Sequence, residues 1–296
     1  MTSPWYHPAG STARDGFEVA ITPGSLAGAW RHTGLYVVQL APGESRAVTT
    51  GDCEWIVLPL AGVGWRVESP GEPAVELRGR TDVWDGPSDQ VYLPRDTAFT
   101  VTAIGGGTLA LPHARARTPA PVAVTRAEEV PVELRGAGSC SRQVHNFGTP
   151  AALAADSIIA CEVYTPAGNW SSYPPHKHDE DRPGVESELE EIYYFRMRPV
   201  PGAPPGAAAF GYQRVYGTSE RPIEVLEEVR TDDVVLVPHG WHGPAMAPAG
   251  YDMYYLNVMA GPGPQRAWLI CDDPAHGWVR DTWTGQAVDP RLPFGR

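Results

Sequence analysis

Lysine is almost missing from this chain of 296 residues: Lys177 stands alone, and apart from histidine every other basic side chain is arginine. With Ala, Gly and Pro abundant, that bias reflects GC-rich coding and excludes no function. Convincing 3.6-residue apolar periodicity is also lacking. The 32 glycines and 31 prolines interrupt most segments, which excludes a mainly helical fold. No uninterrupted apolar run reaches the ~20 residues of a membrane span, and the opening MTSPWYHPAGSTARDGF holds no apolar core of signal-peptide length. There is no CxxC pair. Cys53, Cys140, Cys161 and Cys271 are widely spaced and are expected to be buried, reduced thiols of a cytoplasmic protein. Net positive charge is absent as well, because 23 basic against 35 acidic residues leave −12. That balance argues against a nucleic-acid or anionic-membrane partner. It leaves room for a small anionic substrate held by a few local cations.

What is present is β-sequence. The hydrophobic fraction of 42% is enough for a sizeable core. Short runs bounded by turn residues recur: GLYVVQLAP, CEWIVLPLAG, GWRVE, AVELRG, VYLP, AFTVTAI and GTLALP, then SIIACEVYTP, EIYYFRM, AFGYQRVY, PIEVLEEVRTDDVVLVP and YDMYYLNVMAG. Between the two series, the Pro- and Arg-rich stretch from Pro112 to Gly136 suits a connector. The expectation is an all-β chain of two sandwich or small-barrel domains, 1–125 and 126–296. The halves also echo one another: DQVYLP (89–94) and DVVLVP (233–238) are each an acid, an apolar strand and a proline.

One stretch carries chemistry. In YPPHKHDEDRPGVESELEEIYYFR, His176 and His178 follow Pro174-Pro175, which favours an extended backbone. Residues i and i+2 of a strand share a face, so both imidazoles point the same way. With a carboxylate and a third imidazole they would make a first-row metal site, whereas an isolated HxH is more often a surface pair. The run VLVPHGWHGP supplies the third imidazole, from His239 or His242 after a tight turn at a strand end.

HxH, then Glu on the next strand, then a P-x-G turn with another His resembles the two motifs of the cupin superfamily. PPHKHD, ESELEEIYYF, FGYQRVY, DDVVLVPHGWHG and GYDMYYLNVMAG, with VYLPRDTAFTVTA and SRQVHNF in the first half, are similar to the 5-deoxy-glucuronate isomerase family of myo-inositol catabolism. The resemblance covers nearly the whole chain and implies a bicupin with two jelly-roll domains. The first would lack a metal site, having no HxH, and His7, His32 and His113 would be surface or core histidines.

The metal ligands implied are His176, His178, one of Glu190 and Glu191, and His242. Cupin spacing favours Glu191. The insertion before the glutamate is longer than usual, and the second turn is one residue shorter. The activity implied is aldose–ketose isomerisation of 5-deoxy-D-glucuronate to 5-dehydro-2-deoxy-D-gluconate, assisted by a divalent ion. Zn is the first choice of ion, with Mn, Fe or Ni as alternatives. Glu190, Tyr254 and Arg214 are the candidate catalytic residues. Arg214, Arg182, Lys177 and Tyr255 are the candidates for holding substrate. Alternation nevertheless points Lys177 away from the metal, and Arg142 and His145 suit an inter-domain joint. The DEDRPGVESE insertion is expected to be a mobile rim of mostly solvated acids. A small sugar acid is the expected partner, in a homo-oligomer. Competing readings are a 4-deoxy-uronate isomerase of pectin breakdown, a cupin dioxygenase, and a non-catalytic sugar sensor. The last would normally carry a DNA-binding helical segment, and none is apparent.

Overall fold

Turn residues cut the chain into strands whose side chains alternate between wet and dry faces. In Glu224–Val229, for example, Val225 and Val229 are buried while Glu224, Leu226 and Glu228 are exposed. The computed structural model describes residues 3–295, whose regular elements are antiparallel strands and short 3-10 turns. No helix among them is long and apolar enough to cross a membrane.

Residues of the second half build two sheets over one core. The first runs Tyr6–His7, Val234–Val237, Glu190–Pro199, Tyr251–Ala260, Ile159–Thr165, Arg142–Gly148, Val132–Arg135. The second runs Glu224–Val229, Gly211–Tyr216, Trp241–Met246, His176–Lys177, Cys271–Asp272, with Trp170–Ser171 beside Trp241–Met246. Between them lie Val144, Val163, Tyr193, Phe195, Val215 and Tyr255. A nine-stranded sheet centred on the long Cys53–Glu68 strand folds the first half around its own core of Trp55, Trp65, Val101 and Leu109.

The outer faces of the two barrels pack on each other. Ile56, Leu58 and Trp84 of the first half meet Tyr164, Ile192, Tyr194 and Tyr254 of the second. Glutamates reinforce this joint from both sides. Glu54 accepts hydrogen bonds from the amides of Asp156, Ser157 and Ile158 at 2.6–2.8 Å. Glu190 accepts from those of Arg31, His32 and Thr33 at 2.7–3.0 Å. Deeper in, Arg80 pairs with Glu162, which also takes bonds from Tyr254 (2.8 Å) and His145 Nδ1 (3.1 Å).

The echoed DQVYLP and DVVLVP segments become matching strands, Gln90–Leu93 and Val234–Val237, each flanked by a short strand, Ala123–Thr125 and Tyr6–His7 respectively. The expected boundary falls between Ala123–Thr125, paired with Gln90–Leu93, and Val132–Arg135, paired with Arg142–Gly148. Tyr6–His7 crosses over to join the second half.

Candidate metal centre

His176 lies directly opposite His242 on the adjacent strand, so the two imidazoles project to the same face. His178 follows two residues on, and Glu191 reaches in from the facing sheet at the start of Glu190–Pro199. One ring nitrogen from each histidine lies within 4.8 Å of the others, and all three side chains are buried. The His242 ring centroid is 4.5 Å from that of His176 and 4.6 Å from that of His178. Glu191 Oε2 is 3.1 Å from both His178 Nε2 and His242 Nε2.

The backbone fixes which nitrogen faces inward. Each Nδ1 sits against a carbonyl: Pro174 for His176 (3.3 Å), Leu189 for His178 (3.1 Å) and Gly240 for His242 (3.2 Å). A carbonyl only accepts, so Nδ1 carries the proton and Nε2 offers a lone pair. His242 Nε2 is close to Glu191 yet off the hydrogen-bond direction, and it is a buried atom without a partner. Converging lone pairs and a carboxylate suit a cation.

The protonation shifts follow from how closely these groups are packed. Burial and then the neighbouring imidazoles push His176 well below its ordinary value. Burial opposes ionisation of Glu191, but the adjoining His178 and His242 rings outweigh it and hold its carboxyl at about 2. Burial likewise disfavours the cationic form of His178, and the Glu191 carboxylate outweighs it, so this histidine is raised.

Lys177 points away from the histidines, as alternation requires. Its ammonium binds Asp179 (2.6 Å), Glu180 (2.9 Å) and Glu186 (2.8 Å). Asp179 in turn accepts the Gly240 amide at 2.9 Å and Arg221 at 3.2 Å. The lone lysine thus braces the turn that presents His242. The insertion expected to be a mobile rim is a hairpin, Asp179–Arg182 with Glu186–Glu188, and Asp179 and Glu186 are buried in it. Loop-like composition concealed a lysine-centred ion network. Arg182 is occupied there by Glu186 and Glu180.

The other candidates divide by strand face. Tyr255 faces the barrel. Tyr254 faces the joint, bonded to Glu162, and Glu190 also turns to the joint. Arg214 points outward and stacks on Tyr216 at 4.2 Å. Its neighbour Gln213 is the inward residue, fully buried with neither amide atom bonded. Sequence reasoning missed Gln213 because the register of Gly211–Tyr216 is not written in local sequence. It missed Tyr193 although Tyr193 shares Glu191's face two residues on.

Tyr193 lies 6.2 Å from the His242 ring and begins a buried hydroxyl chain. The chain runs from Tyr193 to Ser172 (3.0 Å), to Tyr255 (3.1 Å), to Ser171 (3.0 Å) and to Thr165 (2.7 Å). Burial holds the Tyr255 phenol up at about 12, and burial plus the Glu191 charge raises Tyr193 well above its ordinary value. His239 remains outside the cluster, with His7, His32 and His113 in the first half. His113 is stacked on Trp55 at 4.2 Å.

Comparison with known proteins identifies the family. The KduI/IolB family model matches residues 5–279. A curated 5-deoxy-glucuronate isomerase from Geobacillus kaustophilus (strain HTA426) is 40% identical over 276 residues, 93% of this chain and 95% of the relative. Another, from Bacillus subtilis (strain 168), is 44% identical over 193 residues, 65% of this chain and 67% of the relative. The crystal structure of an IolB-like protein from Salmonella typhimurium LT2 superposes with a TM-score of 0.83 at 35% identity, covering 94% of this chain and 99% of that one. Oxalate decarboxylase from Lactobacillus farciminis shares the cupin fold alone, with a TM-score of 0.62 at 12% identity over 92% of this chain and 89% of that one.

Proposed function

The chain belongs to the KduI/IolB family, and we propose that it isomerises 5-deoxy-D-glucuronate, an aldose, to the ketose 5-dehydro-2-deoxy-D-gluconate. The observation that carries this reading is the buried set of three imidazoles with their protons turned to backbone carbonyls. Its ligands are His176, His178, His242 and Glu191. A divalent first-row ion held there, Zn first and Mn, Fe or Ni as alternatives, supplies Lewis-acid polarisation of the substrate's carbonyl oxygen.

The chain's own groups do the rest. Tyr193 and Tyr255 keep their protons at neutral pH, so neither acts as a base; Tyr255 donates its hydrogen bond to Ser171 and anchors the hydroxyl chain that lines the site. Tyr254 is turned to the joint and bonded to Glu162, which leaves Tyr255 as the phenol on the barrel face. Glu190 is fully engaged by backbone amides, which favours Glu191 as the carboxylate of the site. Gln213 offers an unbonded amide to a sugar hydroxyl. The apolar barrel wall excludes water from the reacting carbons. The curated names of the relatives favour this substrate over the 4-deoxy-uronate of pectin breakdown and over dioxygenase chemistry.

The deciding experiment follows 5-deoxy-D-glucuronate by NMR with protein as purified, after chelation, and after metal return. The expected outcome is ketose formation without oxygen uptake, lost on chelation and restored by metal. Metal-loaded protein that forms no ketose would rule the reading out. His178→Ala is expected to stay soluble and to retain no metal by elemental analysis.

A further inference from the structure

Two arginines in the described chain are almost wholly buried, Arg80 and Arg142, each 5% exposed. They are treated very differently. Arg80 is neutralised by Glu162. Arg142 donates from Nη1 to the carbonyls of Cys140 (3.0 Å) and Tyr173 (3.4 Å), and among the described residues no carboxylate pairs with it. Its Nε and Nη2 donors meet no protein acceptor among those residues either. Directly opposite on the neighbouring strand stands another cation, Arg135, which is paired with Glu133. Like charges facing each other across a ladder repel, and a buried cation without an anion is expensive. Burial first, then the charges of Arg135 and Arg280, push the Arg142 guanidinium down to about 10, which still leaves it charged at neutral pH. An acidic protein with 35 carboxylate side chains pairs none of the described ones with this buried cation.

Its position gives the reason. Arg142 shares a strand face with Val144, which lines the metal-bearing barrel. Its bond to the Tyr173 carbonyl sets it three residues before His176, beside the Ser171–Ser172 hydroxyls that bind Tyr255. Trp283, whose ring centre is 5.5 Å from the guanidinium, covers it. In the proposed substrate, three carbons separate the reacting C1–C2 end from the carboxylate. Given the isomerase reading above, we propose that Arg142 binds the substrate carboxylate and so fixes which end of the sugar meets the histidines.

The residues considered for that task from sequence are otherwise engaged. Lys177 and Arg182 are saturated by acids, and Arg214 lies on the outer face. A guanidinium with two free donors on one edge matches a carboxylate bidentately.

The test compares 5-deoxy-D-glucuronate with 5-deoxy-D-glucose, which replaces the carboxylate by a hydroxymethyl group, for wild type, Arg142→Met and Arg142→Lys. In Arg142→Met, kcat/KM for the acid is expected to fall roughly 10- to 100-fold, the size of a lost charged hydrogen bond. That for the alcohol should stay within about twofold. Metal content should be unchanged and the melting temperature no lower than wild type, because an unpaired buried charge has been removed. Arg142→Lys should fold, and its acid kcat/KM should fall between the other two. The assignment is overturned if Arg142→Met keeps the full preference for the acid. Equal loss on both sugars together with a lower melting temperature also overturns it, because that marks a structural arginine. A wild type that converts neither sugar sinks the isomerase reading, and this one with it.

Discussion

Glu190 and Glu191 share a peptide bond and work in different halves of the molecule. Strand alternation sends one carboxylate to the Arg31–Thr33 amides and the other to the imidazoles. Their substitutions should therefore separate cleanly. Glu191→Gln is expected to abolish metal retention by elemental analysis while the urea midpoint stays close to wild type. Glu190→Gln should retain metal and lose about 2 kcal/mol of stability, because charge-assisted bonds to three amides become neutral ones. The alternation itself was legible in LEEIYY, and so was the outward turn of Lys177. The parity of Gly211–Tyr216 was not. A mid-strand arginine drew attention to Arg214, and only the pairing of Gln213 with Ala245 shows which residue faces the barrel.

The element that sets the site is the turn before and into Trp241–Met246. Gly243 follows His242 with φ +98°, a conformation that side chains disfavour, and a Cβ built there would lie 1.7 Å from the Ser172 carbonyl. Close approach of those two backbones puts His242 beside His176 and Ser172 beside Tyr193 and Tyr255. Gly243→Ala should force them apart. The expected result is lost metal retention with destabilisation of roughly 1–3 kcal/mol, read from metal content and thermal melts together. The P-x-G-x-H pattern announced a turn that carries a histidine of the buried cluster. It could not announce the Lys177–Asp179–Gly240 brace, because an ion network at the base of an insertion has the same composition as a solvated loop.

At the scale of the whole molecule, the joint is where polar chemistry is most deeply buried. Glu162 is held at about 2: burial opposes its ionisation, while Arg80 and His145 more than compensate. A carboxylate whose folded pKa is depressed adds stability above its ordinary value near 4.5, and that stability is lost as pH falls toward about 2. The contribution is on the order of 3 kcal/mol. Urea midpoints should therefore fall steeply over that window. Glu162→Gln should flatten the slope and cost about 3–5 kcal/mol at neutral pH, where Arg80 is left alone in the core. Two β-halves and their echoed strands were readable from spacing. The joint was not, since Arg80 and Glu162 are 82 residues apart and neither sits in a recognisable motif.

The paired glutamate clamps also bear on the order of synthesis. When the first barrel leaves the ribosome, Glu54 has no Asp156–Ile158 backbone to grip, and the Arg31–Thr33 amides await Glu190. Until the second half arrives those donors and that anion face water, so the joint closes only when both halves are present. Because Glu191 rides on the same backbone as Glu190, the strand that closes the joint is also the one that carries a carboxylate to the imidazoles.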